Sequence, residues 1–209
     1  MDRKKLFYKL LELLKGSKRE EKINKMVEAV FERVATVPAS SKVNYHCCYE
    51  GGLLDHTNLV TLKMLADRKF YLSPLHSIII VGLFHDLGKI GNQKEYFYVE
   101  AEDWKKQRGM PYEIPDNMKK LPHAARSIHI LNRFNIHLTE AEFQAILYHN
   151  LLPEDRAAIR YHETPLLHIL HQADVWACWI FEKAYNQDIE IFKKLIKVLE
   201  QEVKDARLK

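Results

Sequence analysis

An all-α fold is what the sequence predicts, and three observations predict it. Apolar residues recur at spacings of three and four in nearly every periodic segment. Capping residues and prolines stand where those segments begin. No strand-rich region, internal repeat or low-complexity tract interrupts them. At 209 residues the chain suits one domain with a sizeable core, so 1–209 is read as a single unit.

The elements follow in order. MDRKKLFYKLLELLKG places basic residues before an apolar stretch that Lys9, Glu12 and Lys15 interrupt, which predicts an amphipathic helix rather than a signal peptide. Over 18–35, Ile23, Met26, Val27, Val30, Phe31 and Val34 mark one helix face. Leu59, Leu62 and Leu65 do so over a helix from Leu53 to about Ala66. Pro74 suits the first position of the next helix, which carries Ile78, Ile79, Val81, Gly82 and Phe84 through to His85. Residues 122–134 begin with another proline. Thr139 and Glu142 form a T-x-x-E capping box for a helix to about His149. Thr164-Pro165 starts a long helix to about Tyr185, and a last amphipathic helix holds Ile189, Phe192, Leu195, Ile196, Leu199 and Val203.

The irregular stretch is 90–121, which holds Gly91, Gly109, Pro111 and Pro115 among Tyr96, Phe97, Tyr98, Trp104 and Tyr112. Its aromatic content argues against disorder, so it reads as a lid or aromatic wall, or as a plain packed loop, with room for a short hairpin around 94–100.

Composition narrows the function classes. The net charge of +4 suits an anionic substrate but is too weak for a surface that coats nucleic acid. No run reaches the roughly 20 apolar residues that span a bilayer. Cys47, Cys48 and Cys178 are odd in number and lack zinc-ribbon spacing, as expected of reduced thiols in a cytoplasmic protein.

Residues 81–90 read VGLFHDLGKI, with His85 and Asp86 directly behind an apolar run. His56 starts one helix in GGLLDHT, His123 opens another in LPHAARS, and His149 ends the capped helix in ILYHN. Asp174 sits inside the apolar LLHILHQADVWACWIF. Any one of these could be a satisfied core or capping group. An unpaired carboxylate in so apolar a segment costs several kcal/mol, however, so Asp174 requires a cation or a strong donor. Five helices thus each offer metal ligands, and the mixed imidazole and carboxylate set suits manganese, iron, zinc, nickel or cobalt, with magnesium also open.

The order H…HD…H…H…D, in the contexts GGLLDHT, FHDLGK and LHQAD, resembles the HD-domain superfamily of metal-dependent phosphohydrolases over about residues 38–180. The resemblance implies a helical-bundle core there, with 1–37 and 186–209 packed on it. It also implies that His56, His85, Asp86 and Asp174 hold one divalent metal. The resemblance allows one ion or two: a second would sit on His123 and His149 with Asp86 bridging, and with one ion either histidine would serve as general acid or phosphate donor. Lys89, Asp86 and His123 would act in the chemistry, and Lys89 would contact the substrate; Arg126 would bind phosphate or pair with a surface carboxylate, and His46 would contact substrate or serve the structure. His171, three residues before Asp174 on the same helix face, would orient a ligand. Gly88 is expected to let the chain turn away so that substrate can approach. His76, His129, His137, His162 and His168 are read as having no part in the site.

A metal in such a set lowers the pKa of a bound water enough to supply hydroxide near neutral pH. The expected activity is hydrolysis of a phosphate ester of a nucleotide or related small molecule. The GGLLxHT form also resembles exoribonuclease and relaxase-associated branches, which keeps a phosphodiesterase or 3′–5′ exonuclease on short nucleic acids open. A non-catalytic metal-bearing nucleotide-binding module and a di-iron oxygenase complete the alternatives. No membrane partner is expected, and oligomerisation stays open.

Overall fold

The computed structural model describes residues 2–181 and 189–207. Among them the fold is helical: α1 (Arg3–Leu11), α2 (Glu20–Thr36), α3 (Gly52–Tyr71), α4 (Leu75–Phe84), α5 (Asp103–Lys106), α6 (His123–Arg133), α7 (Glu140–Tyr148), α8 (Pro153–Ile159), α9 (Pro165–Val175) and α10 (Ile189–Arg207). Two tighter turns, Glu12–Leu14 and Leu87–Ile90, extend α1 and follow α4.

Helix α3 is the axis of the bundle. It packs against α1, α2, α4, α9 and α10. Its burial runs right round the cylinder, from Leu53 and Leu54 through Thr57, Val60, Thr61 and Leu62 to Met64 and Leu65, as a central helix requires. Helix α4 is buried from Ser77 to Phe84, so IIIVGLF has no solvent face. One hydrophobic cluster runs from Leu6 to Val203 and joins the terminal helices to this pair.

The local signals act as the sequence predicts, with small shifts. Thr139 Oγ1 accepts from the Glu142 N–H at 3.2 Å, and the Glu142 carboxylate accepts from the Thr139 N–H at 2.9 Å. Pro74 and Pro122 precede the first helical residues instead of occupying them. Helix α3 continues past Ala66 to Tyr71, because Arg68 finds Glu202 of α10 at 2.8 Å and the polar last turn stays helical. The helix begun at Pro165 passes after Val175 into a wider π-type turn over Trp176–Phe181. Its expected end near Tyr185 lies outside the described residues.

Two expectations change in detail. The antiparallel strand pair falls within 90–121, but it joins β1 (Val99–Glu100) to β2 (Tyr112–Glu113), with α5 between them, and does not close over 94–100. Helix α8 carries no periodic signal in the sequence: only seven residues long, it offers too few apolar positions to show a period. No helix among the described residues is long and apolar enough to cross a membrane.

Candidate metal centre

The six residues singled out by order in the sequence converge on one point between helix ends. His56 lies in the second turn of α3, His85 at the C-terminus of α4, His123 at the first position of α6, His149 at the C-terminus of α7, and Asp174 near the end of α9. Asp86 follows His85 with φ −100° and ψ 8°, in the sparsely populated bridge region, and starts the turn that carries Lys89.

His85 and His149 are oriented by the same device. The Nδ1 of each meets the carbonyl oxygen three residues earlier, Gly82 at 2.9 Å and Ile146 at 2.8 Å. A carbonyl only accepts, so Nδ1 carries the proton and Nε2 keeps a lone pair for the centre. The α7 end is fastened further by His171, whose Nδ1 donates to the His149 carbonyl at 2.7 Å. His171 therefore supports His149, itself one of the ligand candidates.

Asp86 divides the centre into two halves. Its Oδ2 lies 3.5 Å from His56 Nε2, 3.6 Å from His85 Nε2 and 2.7 Å from Lys89 Nζ. Its Oδ1 lies 3.3 Å from His123 Nε2 and 3.6 Å from His149 Nε2. Within the halves, His56 and His85 bring their Nε2 atoms to 3.3 Å, and so do His123 and His149. Asp174 Oδ1 completes the first half at 3.1 Å from His56 Nε2.

These residues could hold a metal ion, and three features fit one. Ligands about 2.1 Å from an ion in tetrahedral or octahedral geometry stand about 3.0–3.4 Å apart, close to the separations found. Asp86 Oδ1 is buried and has no hydrogen-bond partner. Burial, the first cause in each case, pushes His46 down to about 2, His85 to about 4 and His123 to about 3, so all three are neutral imidazoles near neutral pH.

The charges point the same way. Burial opposes ionisation of Asp86, but Lys89 and the surrounding histidines outweigh it and hold the carboxyl well below its usual range. Asp174 is likewise lowered against its burial, chiefly by the hydrogen bond from His56. Burial pulls Lys89 down, yet the Asp86 carboxylate overrides it and the ammonium is held charged. A buried carboxylate, Asp86, and a partly buried one, Asp174, therefore face one ammonium, and the surplus negative charge calls for a cation. Solvent reaches the centre at His123 and Asp174, whose side chains keep 26% and 15% of their surface open.

His46 belongs to the neighbourhood: its ring centroid lies 4.5 Å from that of His56 and its buried Nε2 has no partner. Arg126 is turned elsewhere. Its Nη2 donates to the Lys119 carbonyl at 2.8 Å, and its guanidinium sits 5.5 Å from the Phe97 ring centre.

Gly88 serves packing instead of substrate approach. A Cβ there would overlap the His123 carbonyl oxygen and sit 2.8 Å from Arg126 Cβ, while the Gly88 N–H donates to Ser127 Oγ at 2.7 Å. Ser127 Oγ donates in turn to the His85 carbonyl at 2.7 Å. This close approach is what brings His123 to Asp86. Gly88→Ala should therefore push α6 away, cost about 1–3 kcal/mol and lower metal occupancy on the His123 and His149 side, read by thermal melting and elemental analysis.

Two neighbours went unnoticed in the sequence. Cys178 Sγ lies 3.6 Å from Asp174 Oδ1, and burial pushes its thiol up, so it donates to that carboxylate as a neutral group. With His46 and His56 it forms a third group of the right dimensions for an ion. Asn150 Nδ2 lies 3.2 Å from His149 Nε2 and 3.4 Å from His123 Nε2. Spacing could have flagged Cys178, one turn beyond Asp174; nothing in the sequence singles out Asn150. No family model, curated protein or solved structure matches this chain.

Proposed function

We propose that the protein is a metal-dependent phosphohydrolase of the HD-domain type, acting on a phosphate ester of a nucleotide or related small molecule. The observation that carries this reading is the division of Asp86, with one oxygen facing His56 and His85 and the other facing His123 and His149. His56, His85, Asp86 and Asp174 would hold one ion, and a second would be held by Asp86 with His123 and His149. Manganese, iron, cobalt, nickel or zinc suits the nitrogen and oxygen donors, and the carboxylates leave magnesium open. When bound, such an ion polarises phosphoryl oxygens and supplies a nucleophilic water near neutral pH.

The chain's own residues provide the rest. Lys89 spends one N–H on Asp86, and its remaining donors can meet a non-bridging phosphate oxygen. The Asp86 ion pair holds that ammonium charged and in place. His123, the most open of the ligands, stands where a phosphate would enter. His46 Nε2, buried and unpartnered beside His56, is placed to contact substrate. Tyr98 of the 90–121 segment is half-buried, and it and Lys89 each shift the other's ionisation.

The test is elemental analysis of the purified protein, followed by phosphate release from a panel of nucleotides, cyclic dinucleotides and short oligonucleotides. Bound divalent metal with release that stops on chelation and returns with the ion is the expected result. A di-iron centre active only with O₂ would overturn the hydrolase reading. His129 is exposed on the far face of α6, so His129→Ala should retain full metal content and turnover; a dead variant would show the histidines to be wrongly sorted.

A further inference from the structure

We infer that His46, His56 and Cys178 form a second metal position, selective for thiophilic ions of the zinc class, and that an ion held there takes His56 away from the Asp86 centre. The position concerns the metal alone and stands whatever reaction the centre performs. His46 reaches it from the irregular segment before α3, His56 from α3, and Cys178 from the π-type turn that follows α9. One ligand atom from each lies within 4.8 Å of the other two.

Two observations besides the spacing point to an ion. His46 Nε2 is buried without a hydrogen-bond partner, although its ring lies 4.5 Å from that of His56. A buried nitrogen left unpaired is unfavourable, and a cation would satisfy it. Cys178 is buried too, and a buried cysteine is most often a small apolar filler. This one instead turns its Sγ to a carboxylate, 3.6 Å from Asp174 Oδ1. The turn that carries it, Trp176–Phe181, has a backbone geometry that is rare in proteins and concentrated at functional sites.

Donor chemistry separates this position from the centre beside it. When a thiophilic cation binds, the thiol gives its proton to solvent and the sulfur bonds to the metal in its place. Two imidazoles and a thiolate suit zinc, cadmium or copper(I) and leave a fourth tetrahedral position open, whereas manganese and magnesium favour the oxygens of Asp86 and Asp174. His56 is common to this group and to the group His56, His85 and Asp174. A neutral imidazole has one nitrogen lone pair to give, so it serves one ion at a time. A zinc-class ion on Cys178 would therefore undo the Asp86 centre by removing a ligand, and would occupy the His46 nitrogen placed to contact substrate.

The experiment reads the metal without turnover. Cadmium is titrated into the metal-free protein while the thiolate-to-cadmium charge-transfer band is followed in the ultraviolet. The band should saturate at one equivalent in the wild type and vanish in Cys178→Ser, whose hydroxyl can still donate to Asp174. His46→Gln should weaken cadmium binding at least about ten-fold. A further measurement needs no variant: X-ray absorption of the wild type with one equivalent of zinc should show a sulfur neighbour at about 2.3 Å. No sulfur neighbour, unchanged affinity in His46→Gln, or a band that survives in Cys178→Ser would overturn the proposal. Competition is read on manganese-loaded wild type given one equivalent of cadmium, where the band should rise as manganese is released, followed by electron paramagnetic resonance. Full retention of manganese as the band rises would overturn the claim on His56. Manganese that never binds, with the cadmium band intact, would count against the Asp86 centre and for this position.

Discussion

Asp86→Asn is expected to strip the centre of its metal and abolish phosphate release. The substitution keeps the shape of the side chain and changes what its two ends can do. A carboxylate offers lone pairs on both sides, one to the His56 and His85 half and one to the His123 and His149 half. The amide keeps one acceptor and turns the other end into a donor, aimed at an imidazole pair or at Lys89. Whichever way it rotates, one half loses its acceptor and the negative charge that favours a cation is gone. Loss of a residue that merely orients a ligand costs about 10–100-fold in metal affinity, and a shared ligand should exceed that. Elemental analysis should find little metal, and phosphate release should fall to background. Far-UV circular dichroism should stay unchanged, since Asp86 anchors no helix. A variant that keeps both metal and turnover would remove the basis of the proposed mechanism.

The same geometry shows which parts of the site could be read in advance. His56, His85, His123 and His149 are recognisable because each stands at or near a helix end, where a one-dimensional signal marks the place: the glycines at the start of α3, the apolar run of α4, Pro122, and the Thr139 capping box. Helix ends are where sequence and position in space are most tightly coupled. What happens sideways, between helices, left no such trace. Gly88 looked like a turn residue because its neighbour in sequence is Leu87, but its neighbour in space is the His123 carbonyl. His171 shares a helix face with Asp174, yet its hydrogen bond goes across to α7. Arg126 lies one turn from His123 and reaches back to Lys119, a contact set by the path of an irregular segment with no periodicity to read. The strand pair is the same case: Val99 and Glu113 meet around α5, and short polar strands advertise no partner.

Breaking the Arg19–Glu142 pair should cost the fold about 3 kcal/mol, far more than a surface ion pair, because of what Glu142 holds together. Its side chain is fully buried while that of Arg19 keeps 21% of its surface open. The guanidinium grips the carboxylate with two bonds, at 2.6 and 2.9 Å. The same carboxylate accepts the Thr139 N–H and closes the capping box of α7. One side chain thus joins the start of α2 to the helix whose other end delivers His149. Arg19→Ala leaves that carboxylate buried with its main partner gone, and for a chain of this length the midpoint of thermal unfolding should fall by about 6–12 °C. A loss below about 1 kcal/mol would mean that the pair behaves as an exposed one. The pH dependence gives a second check. Burial opposes ionisation of Glu142, but the bonds from Arg19, the Thr139 N–H and Ser77 outweigh it, and the folded-state pKa lies below the ordinary 4.5. A lowered carboxylate stabilises the fold fully above its unfolded value, and that contribution is lost as pH falls through the folded one. Wild type and Glu142→Gln should therefore differ most in stability above about pH 5 and converge as the pH drops below 4.5. A gap that stays constant through that window would show that the charge of Glu142 does not hold α7 in place.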